Sequence, residues 1–210
     1  MKAAIFDMDG TLLDSMLLWR SLNVSFVREC GIEPTARQEE DMLNLTGRMV
    51  IPYIKENFGI DAPFESLLTR ANAALLPQYA AGVAHKPGAL GYLKHLRACG
   101  VKCVLATATP ASLALVALNQ SGLTPWLDYI FSTEMIGLTK SDPAFYDKLC
   151  ALIGEEKRDC VMFEDALYAM RGAREAGLGV IGITDFTNMH DREEIVKICD
   201  RIIDTYDALL

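Results

Sequence analysis

Within the amino-terminal stretch 2–14, two carboxylates, Asp7 and Asp9, closely follow the apolar run Ala3–Phe6. Side chains two residues apart share a face of a β-strand, so both can aim at one point if the strand continues into them. Like charges that close are unfavourable unless a cation, a shared proton or a catalytic role compensates. Gly10 then permits a tight turn or the close approach of a ligand. On its own, the stretch is equally typical of a strand followed by an acidic Asp-Gly turn.

The composition limits the classes of protein that the chain can represent. Its 210 residues are 51% hydrophobic, which suits one ordinary domain with an insertion, or two small domains. The formal net charge of −8 argues against a nucleic-acid or anionic-membrane surface, because both require a basic footprint. We therefore expect no nucleic-acid and no membrane partner. An anionic substrate would need positive charge from a metal ion or from selected lysines and arginines.

The six cysteines form no Cys-x-x-Cys pair and no zinc-type cluster with histidine. They are typical of small buried hydrophobes in a reducing cytosol. The apolar run before Asp7 is too short for a signal peptide, and no stretch approaches the ~20 apolar residues of a spanning helix. We therefore expect a soluble cytoplasmic protein. No sequence feature fixes the oligomeric state, and a monomer is favoured.

The spacing of apolar residues changes along the chain. From Ser15, a candidate N-cap, to about residue 82 it is helical, and from Pro87 onward helices alternate with short apolar strands. The predicted strands are 3–6, 101–106, 129–131, 160–163, 180–183 and 201–203. This alternation predicts an α/β fold with a Rossmann-like parallel sheet core, formed by residues 1–14 and 83–210. The helical segment 15–82 is too long for a loop and is predicted to be an inserted domain.

Polar residues follow the predicted strands at their carboxyl ends. They are Asp7, Asp9, Thr107, Lys140, Glu164 and Asp165. Right-handed crossovers bring the carboxyl ends of parallel strands to one edge of the sheet, where ligands bind. Oxygen ligands without histidine or cysteine favour Mg²⁺ over zinc. Lys140 can attract an anion, and the Thr107 hydroxyl can donate a hydrogen bond to it. The amides around Ala108 and Thr109 can hold phosphate oxygens.

Four motifs occur in order along the chain. They are Asp-x-Asp-Gly-Thr from Asp7 to Thr11, Val-Leu-Ala-Thr ending at Thr107, Lys-Ser-Asp-Pro starting at Lys140, and Phe-Glu-Asp ending at Asp165 with Ala-Gly at 176–177. Together they resemble the signature of the haloacid dehalogenase-like (HAD) hydrolase superfamily, over essentially the whole chain. The helical segment is placed like the C1-type cap of that family. The resemblance is to the group of phosphoglycolate phosphatases, sugar phosphatases and β-phosphoglucomutases.

The resemblance implies a magnesium-dependent phosphatase that acts on a small phosphorylated metabolite. It makes Asp7 the nucleophile that forms an aspartyl-phosphate, and Asp9 the general acid and base. It implies that Mg²⁺ is held by the Asp7 carboxylate, the Asp9 main-chain carbonyl and Asp165, with Glu164 acting through water. By the same resemblance, the transferring phosphoryl group is bound by Thr107 and Lys140, and the amide of Ala108 is the further candidate phosphate ligand. Ala166 stands where a serine is common, and this departure is expected to loosen the support of the metal site.

Three alternatives remain open. A β-phosphoglucomutase passes the phosphoryl group to a sugar hydroxyl instead of water, but such mutases carry a histidine where Trp19 stands. Trp19 and Arg48 are the candidate substrate contacts in the cap, although Arg48 is also typical of a solvated arginine near a helix start. A phospho-accepting signalling domain would need an acceptor aspartate after a middle strand, where Ser132 and Thr133 occur instead. A silent binding protein would require the loss of one of the four motifs.

Overall fold

The computed structural model describes residues 1–43, 45 and 50–210. Contacts divide the chain into two compact units, one of Met1–Asp14 with Gly82–Leu210 and one of Ser15–Ala81. The helical segment was predicted to end at residue 82, which is one residue beyond the end of the second unit in the structure. Arg48, the predicted cap contact, lies outside the described residues.

The first unit contains a parallel sheet of six strands. They are β1 (Ala3–Phe6), β2 (Lys102–Thr107), β3 (Tyr129–Ser132), β4 (Cys160–Glu164), β5 (Gly179–Ile183) and β6 (Arg201–Ile203). Their spatial order is β3-β2-β1-β4-β5-β6. The predicted α/β fold with a parallel sheet is therefore confirmed, and each strand lies within about one residue of its predicted bounds.

The helices also follow the predicted alternation. They are α1 (Met16–Glu29), α2 (Ala36–Leu43), α3 (Val50–Phe58), α4 (Phe64–Ala81), α5 (Ala89–Ala98), α6 (Ala111–Gln120), α7 (Thr133–Ile136), α8 (Pro143–Ile153), α9 (Leu167–Ala176) and α10 (Arg192–Ile198). Helix α7 and the 3-10 turns such as Phe186–Asp191 and Tyr206–Leu209 were not predicted from the sequence. These elements are too short to show a helical period in the sequence.

Strand β1 lies at the centre of the sheet, between β2 and β4. Phe6 is in register with Leu105 on one side and with Phe163 on the other. The main-chain amide of Asp7 continues the ladder by donating to the Phe163 carbonyl at 3.0 Å. The residues that follow β1, β2 and β4 consequently emerge side by side at one edge.

Buried side chains fix these strand ends from both faces of the sheet. On one face, Ile5 and Met162 belong to an apolar core with residues of α8 and α9. Phe6 and Phe163 alternate to the opposite face, where their rings stack with centroids 4.6 Å apart. Tyr206 packs against both rings and donates its hydroxyl to the main-chain carbonyl of residue 11 at 3.2 Å. The main chain immediately before Asp7 and before Glu164 is therefore packed on both faces of the sheet.

The second unit is a bundle of α1–α4 with its own apolar core. The fully or nearly buried members of that core are Val24, Phe26, Val27, Met42, Val50 and Ile54. Ser15 precedes α1 as predicted, but its side chain makes no capping hydrogen bond to the helix. Trp19 is half-buried, and its indole N–H donates to the Tyr79 hydroxyl at 3.0 Å. Among the helices of the described segments, none combines the length and the apolar character that crossing a bilayer requires.

Candidate active site

Three carboxylates gather at the carboxyl edge of the sheet. Asp7 follows β1, Glu164 ends β4, and Asp165 comes next in the chain. One carboxylate oxygen from each residue lies within 4.8 Å of one oxygen from each of the other two, and all three residues are buried. Because β1 and β4 are neighbours in register, the fold itself forces these groups together.

Lys140 supplies one positive charge to this cluster. It lies between α7 and α8, is 2% exposed, and places Nζ 2.5 Å from Asp7 Oδ1 and 2.8 Å from Glu164 Oε2. Among the residues that the structure describes, these three buried carboxylates share one ammonium group, that of Lys140. Unpaired buried charge is strongly unfavourable, so this arrangement calls for further positive charge when all three carboxylates are ionised.

The pKa values of these groups reflect burial and mutual repulsion. Burial raises the pKa of Asp7 to about 8, and the charges of Glu164 and Asp9 add to the effect against the opposing Lys140 ammonium. Burial likewise raises the pKa of Asp165 well above its usual range, helped by the Glu164 and Asp7 carboxylates. For Lys140, burial alone would lower the pKa, but the Asp7 and Glu164 carboxylates outweigh it and keep the amine protonated.

We expect the metal-free protein to lose stability as the pH rises from about 4 to about 8. In this window folded Asp7 retains a proton that the unfolded chain, with a pKa near 3.8, releases. Each such proton changes the free energy of unfolding by about 1.4 kcal/mol per pH unit. Thermal unfolding in chelator would measure the decline, and saturating Mg²⁺ should remove it. An identical decline in Asp7→Asn would contradict this origin.

Glu164 has a structural role besides its charge. Its Oε1 accepts hydrogen bonds from the main-chain amides of Asp165 at 3.2 Å and Ala166 at 3.0 Å, at the start of α9. Ala166 occupies the N-cap position and has no side chain that could cap the helix. Glu164 therefore satisfies amides at the beginning of α9 with one oxygen while the other contacts Lys140.

Asp9 contacts the loop after β2 and is not one of the three clustered carboxylates. Its Oδ2 accepts a hydrogen bond from the Thr109 hydroxyl at 2.7 Å. Strand β1 ends at Phe6 and its ladder continues only to the Asp7 amide, so Asp7 and Asp9 do not share a strand face, and the turn at positions 8–13 places Asp9. Asp9 remains half-buried.

The Thr109 amide, which the sequence analysis expected to hold phosphate oxygens together with that of Ala108, is already hydrogen-bonded. That amide donates to the Thr107 hydroxyl oxygen at 3.0 Å. Thr107 is buried and still has its hydroxyl proton to donate, whereas Ala108 is exposed at the tip of the turn. The interpretation of Thr107, Ala108 and Lys140 as phosphate ligands stays a prediction, as does substrate contact by Trp19.

Asp165 is fixed by two further groups. The Thr11 hydroxyl donates to its Oδ1 at 3.0 Å, and the Asn188 side-chain amide donates to its main-chain carbonyl at 2.8 Å. Both supporting residues are buried. Thr11 belongs to the first sequence motif, whereas Asn188 belongs to no motif and was not singled out by the sequence.

Gly172 allows the chain at Lys140 to lie against α9. A Cβ built on Gly172 would come within 2.2 Å of the Lys140 main-chain oxygen, although this glycine has ordinary helical geometry. Such a contact cannot be relieved by rotating a side chain. A glycine inside a helix, about 1 kcal/mol less favourable than alanine, was the only signal in the sequence.

Gly172→Ala is therefore expected to lower turnover at least about tenfold, because the backbone that carries Lys140 must move. Overpacking should also cost about 1–3 kcal/mol of stability, offset in part by better helix propensity. Steady-state kinetics and thermal unfolding would measure both effects. Gly91→Ala in α5 is the matched control, since its new Cβ meets only Leu210 Cδ1 at 3.9 Å. Equal activity of both variants would contradict the packing argument.

The donor set fits a divalent cation of the magnesium type. Asp7, Glu164 and Asp165 offer carboxylate oxygens only, and no histidine or cysteine joins them in the segments that the structure describes. Mg²⁺ typically takes one or two protein carboxylates and completes its shell with water and phosphate oxygens. The cluster therefore has the chemistry and the excess negative charge that such an ion requires.

Comparison with known proteins agrees with this arrangement. The family model of haloacid dehalogenase-like hydrolases matches residues 1–177. Validoxylamine A 7'-phosphate phosphatase from Streptomyces hygroscopicus subsp. limoneus is 27% identical over 199 residues, covering 93% of this chain and 90% of that protein. The phosphorylated carbohydrates phosphatase of Thermotoga maritima is 25% identical over 178 residues, covering 85% and 82%.

A solved structure shares the fold over the whole chain. It is a HAD hydrolase of family IA, variant 3, from Entamoeba histolytica, with a TM-score of 0.84 and 22% identity over 100% of this chain and 96% of that one. The chain belongs to the haloacid dehalogenase-like hydrolases. The predicted family is thereby confirmed.

Proposed function

We propose that the protein is a magnesium-dependent phosphatase that hydrolyses a small phosphorylated metabolite through an aspartyl-phosphate on Asp7. The observation that carries this proposal is the contact of Asp7 with Lys140 inside the buried cluster with Glu164 and Asp165. A carboxylate oxygen is a usable nucleophile for phosphorus. Lys140 beside it can neutralise the incoming phosphoryl oxygens.

In the first step, a carboxylate oxygen of Asp7 attacks phosphorus and the bond to the leaving oxygen breaks. Asp9 donates a proton to that oxygen, and the alcohol departs. In the second step, Asp9 takes a proton from water as the water attacks phosphorus, which releases phosphate and restores the Asp7 carboxylate. The Thr109 hydroxyl orients Asp9 for both transfers.

Mg²⁺, when bound, would neutralise charge on the phosphoryl oxygens and on the attacking carboxylate. Asp7 and Asp165 are the side chains proposed to hold it, together with the Asp9 main-chain carbonyl, and Glu164 would act through water. Thr107, Lys140 and the amide of Ala108 would bind the phosphoryl oxygens. In the ion-free protein, Lys140 keeps the Asp7 carboxylate oriented.

The helical segment, predicted as 15–82, is proposed to act as a cap that selects the substrate and excludes water. A phosphorylated sugar or polyol is the favoured substrate class. Two of the relatives are named for phosphorylated carbohydrates or for a 7'-phosphate of validoxylamine A, and others are hexitol phosphatases.

The test is phosphate release from a panel of sugar, polyol and short-acid phosphates, in Mg²⁺ and in chelator. We expect turnover of at least one compound in Mg²⁺ and a loss of at least about a hundredfold in chelator. Incubation with β-glucose 1-phosphate and a trace of the corresponding glucose bisphosphate tests whether the protein transfers a phosphoryl group from one position of the sugar to another. Efficient formation of glucose 6-phosphate without phosphate release would overturn the hydrolase proposal.

A further inference from the structure

Lys86 joins two loops that flank Asp165. Its main-chain amide donates to the Leu12 carbonyl at 2.9 Å, in the segment after β1. Its Nζ lies 2.7 Å from Asp185 Oδ2, in the segment after β5. In the sheet, β1 and β5 lie on either side of β4, whose carboxyl end carries Asp165. Lys86 therefore bridges the loops on both sides of this carboxylate.

The ion pair between Lys86 and Asp185 is almost completely shielded from solvent. The exposed fractions of the two side chains are 11% and 0%. Desolvation makes such a pair a weak contributor to stability, since apolar side chains of similar volume are often at least as good. The ion pair nevertheless fixes Asp185 in one orientation, because Oδ2 contacts Lys86 while Oδ1 accepts two hydrogen bonds.

Asp185 organises the 3-10 turn Phe186–Asp191. Its Oδ1 accepts hydrogen bonds from the main-chain amide of Thr187 at 3.0 Å and from the Thr187 hydroxyl at 2.7 Å. Its own amide donates to Asn188 Oδ1 at 3.2 Å, which completes a capping box. The orientation of Asn188 thus depends on Asp185.

Asn188 completes the connection to the acidic cluster. Its Nδ2 donates to the main-chain carbonyls of Asp165 and Ile183, each at 2.8 Å. With Oδ1 bonded to the Asp185 amide, both ends of the buried Asn188 side chain are engaged. An unbroken series of contacts runs from Lys86 through Asp185 and Asn188 to the backbone of Asp165.

We propose that Lys86, Asp185 and Asn188 are positioning residues that hold Asp165 in the orientation required to bind Mg²⁺. This rests on the proposed function, in which Asp165 is a magnesium ligand. None of the three touches the reacting atoms. Partners behind a metal ligand typically change metal affinity or activity by about 10–100-fold when they are removed.

The experiment measures the Mg²⁺ dissociation constant of the full-length protein by titration calorimetry, beside the temperature of unfolding in chelator. Lys86→Met and Asn188→Ala are each expected to raise this constant about tenfold or more. Lys102→Met is the matched control. Lys102 also pairs with a carboxylate, that of Glu155 at 2.7 Å, but lies at the amino end of β2, away from the site. It should lose stability without losing Mg²⁺ affinity.

A double variant separates positioning from general loosening of the fold. Lys86→Met leaves Asp185 buried and unpaired, whereas adding Asp185→Asn removes that charge and retains an oxygen for Thr187. The double variant should regain stability in chelator, because no unpaired charge remains buried, but its Mg²⁺ affinity should stay within about threefold of that of Lys86→Met, because the contact that orients Asp185 is still missing. The positioning role would be overturned if Lys86→Met and Asn188→Ala bound Mg²⁺ as tightly as the wild type, or if Lys102→Met bound it as weakly as they do. Either result would leave the proposed function standing. Failure of the wild type to bind Mg²⁺ would instead overturn the proposed function.

Discussion

Asp7→Asn is expected to lower phosphate release by at least about a thousandfold, because an amide cannot replace the attacking carboxylate. The same variant should be at least as stable as the wild type in chelator near pH 7.5. Burial raises the pKa of Asp7 to about 8, so near pH 7.5 folding requires the carboxyl to take up a proton, and the neutral amide avoids this cost. Phosphate release and thermal unfolding on one preparation would measure both effects.

Loss of activity without loss of stability separates a chemical role from a structural one. Asp147→Asn is the matched control, since it removes an exposed carboxylate of α8 that pairs with Lys157 at 2.6 Å. It should leave turnover unchanged. Turnover of Asp7→Asn within tenfold of the wild type would contradict nucleophilic attack by Asp7.

Lys140→Met is expected to damage both activity and folding. Removing the ammonium leaves three buried carboxylates without their cation, and breaking a buried pair costs about 3–5 kcal/mol. The loss should be largest near pH 8 in chelator and smaller near pH 5, where protonation of Asp7 relieves the repulsion. Turnover should fall by about 100- to 1,000-fold, because a donor to the transferring phosphoryl group is lost.

The control for this variant uses the same surface pair. Lys157→Met breaks an ion pair whose side chains are 43% and 54% exposed, and such pairs contribute about 0–1 kcal/mol. Denaturant unfolding at pH 5 and pH 8 would compare the two variants. A loss of stability in Lys140→Met that is small and independent of pH would contradict the electrostatic account of the cluster.

Much of the fold could be predicted because buried parallel strands are continuous apolar runs. Stretches such as Ala3–Phe6 and Cys160–Glu164 stand out against the helical segments beside them. The strand order could not be predicted, since it depends on which crossovers pack together. Short elements such as α7 were missed because four residues show no period.

The charged residues of the site could be predicted because parallel topology collects strand ends. The supporting residues could not, because their roles come from contacts between distant parts of the chain. Thr109 and Asp9 are 100 positions apart, and Gly172 acts only through the space it leaves for the backbone of Lys140. Asn188 lies in a turn that carries no motif, and only its hydrogen bonds indicate a role.

Capture of the covalent intermediate tests the central claim most directly. Asp9→Asn should still react with p-nitrophenyl phosphate, whose leaving group needs no acid, but should hydrolyse the intermediate slowly because the base is missing. In Mg²⁺, we predict a burst of p-nitrophenolate and, after acid quenching, one phosphoryl group on the peptide that contains Asp7. The double variant Asp7→Asn with Asp9→Asn should show neither. Turnover without a burst in Asp9→Asn, or a phosphoryl group on another residue, would contradict the aspartyl-phosphate mechanism.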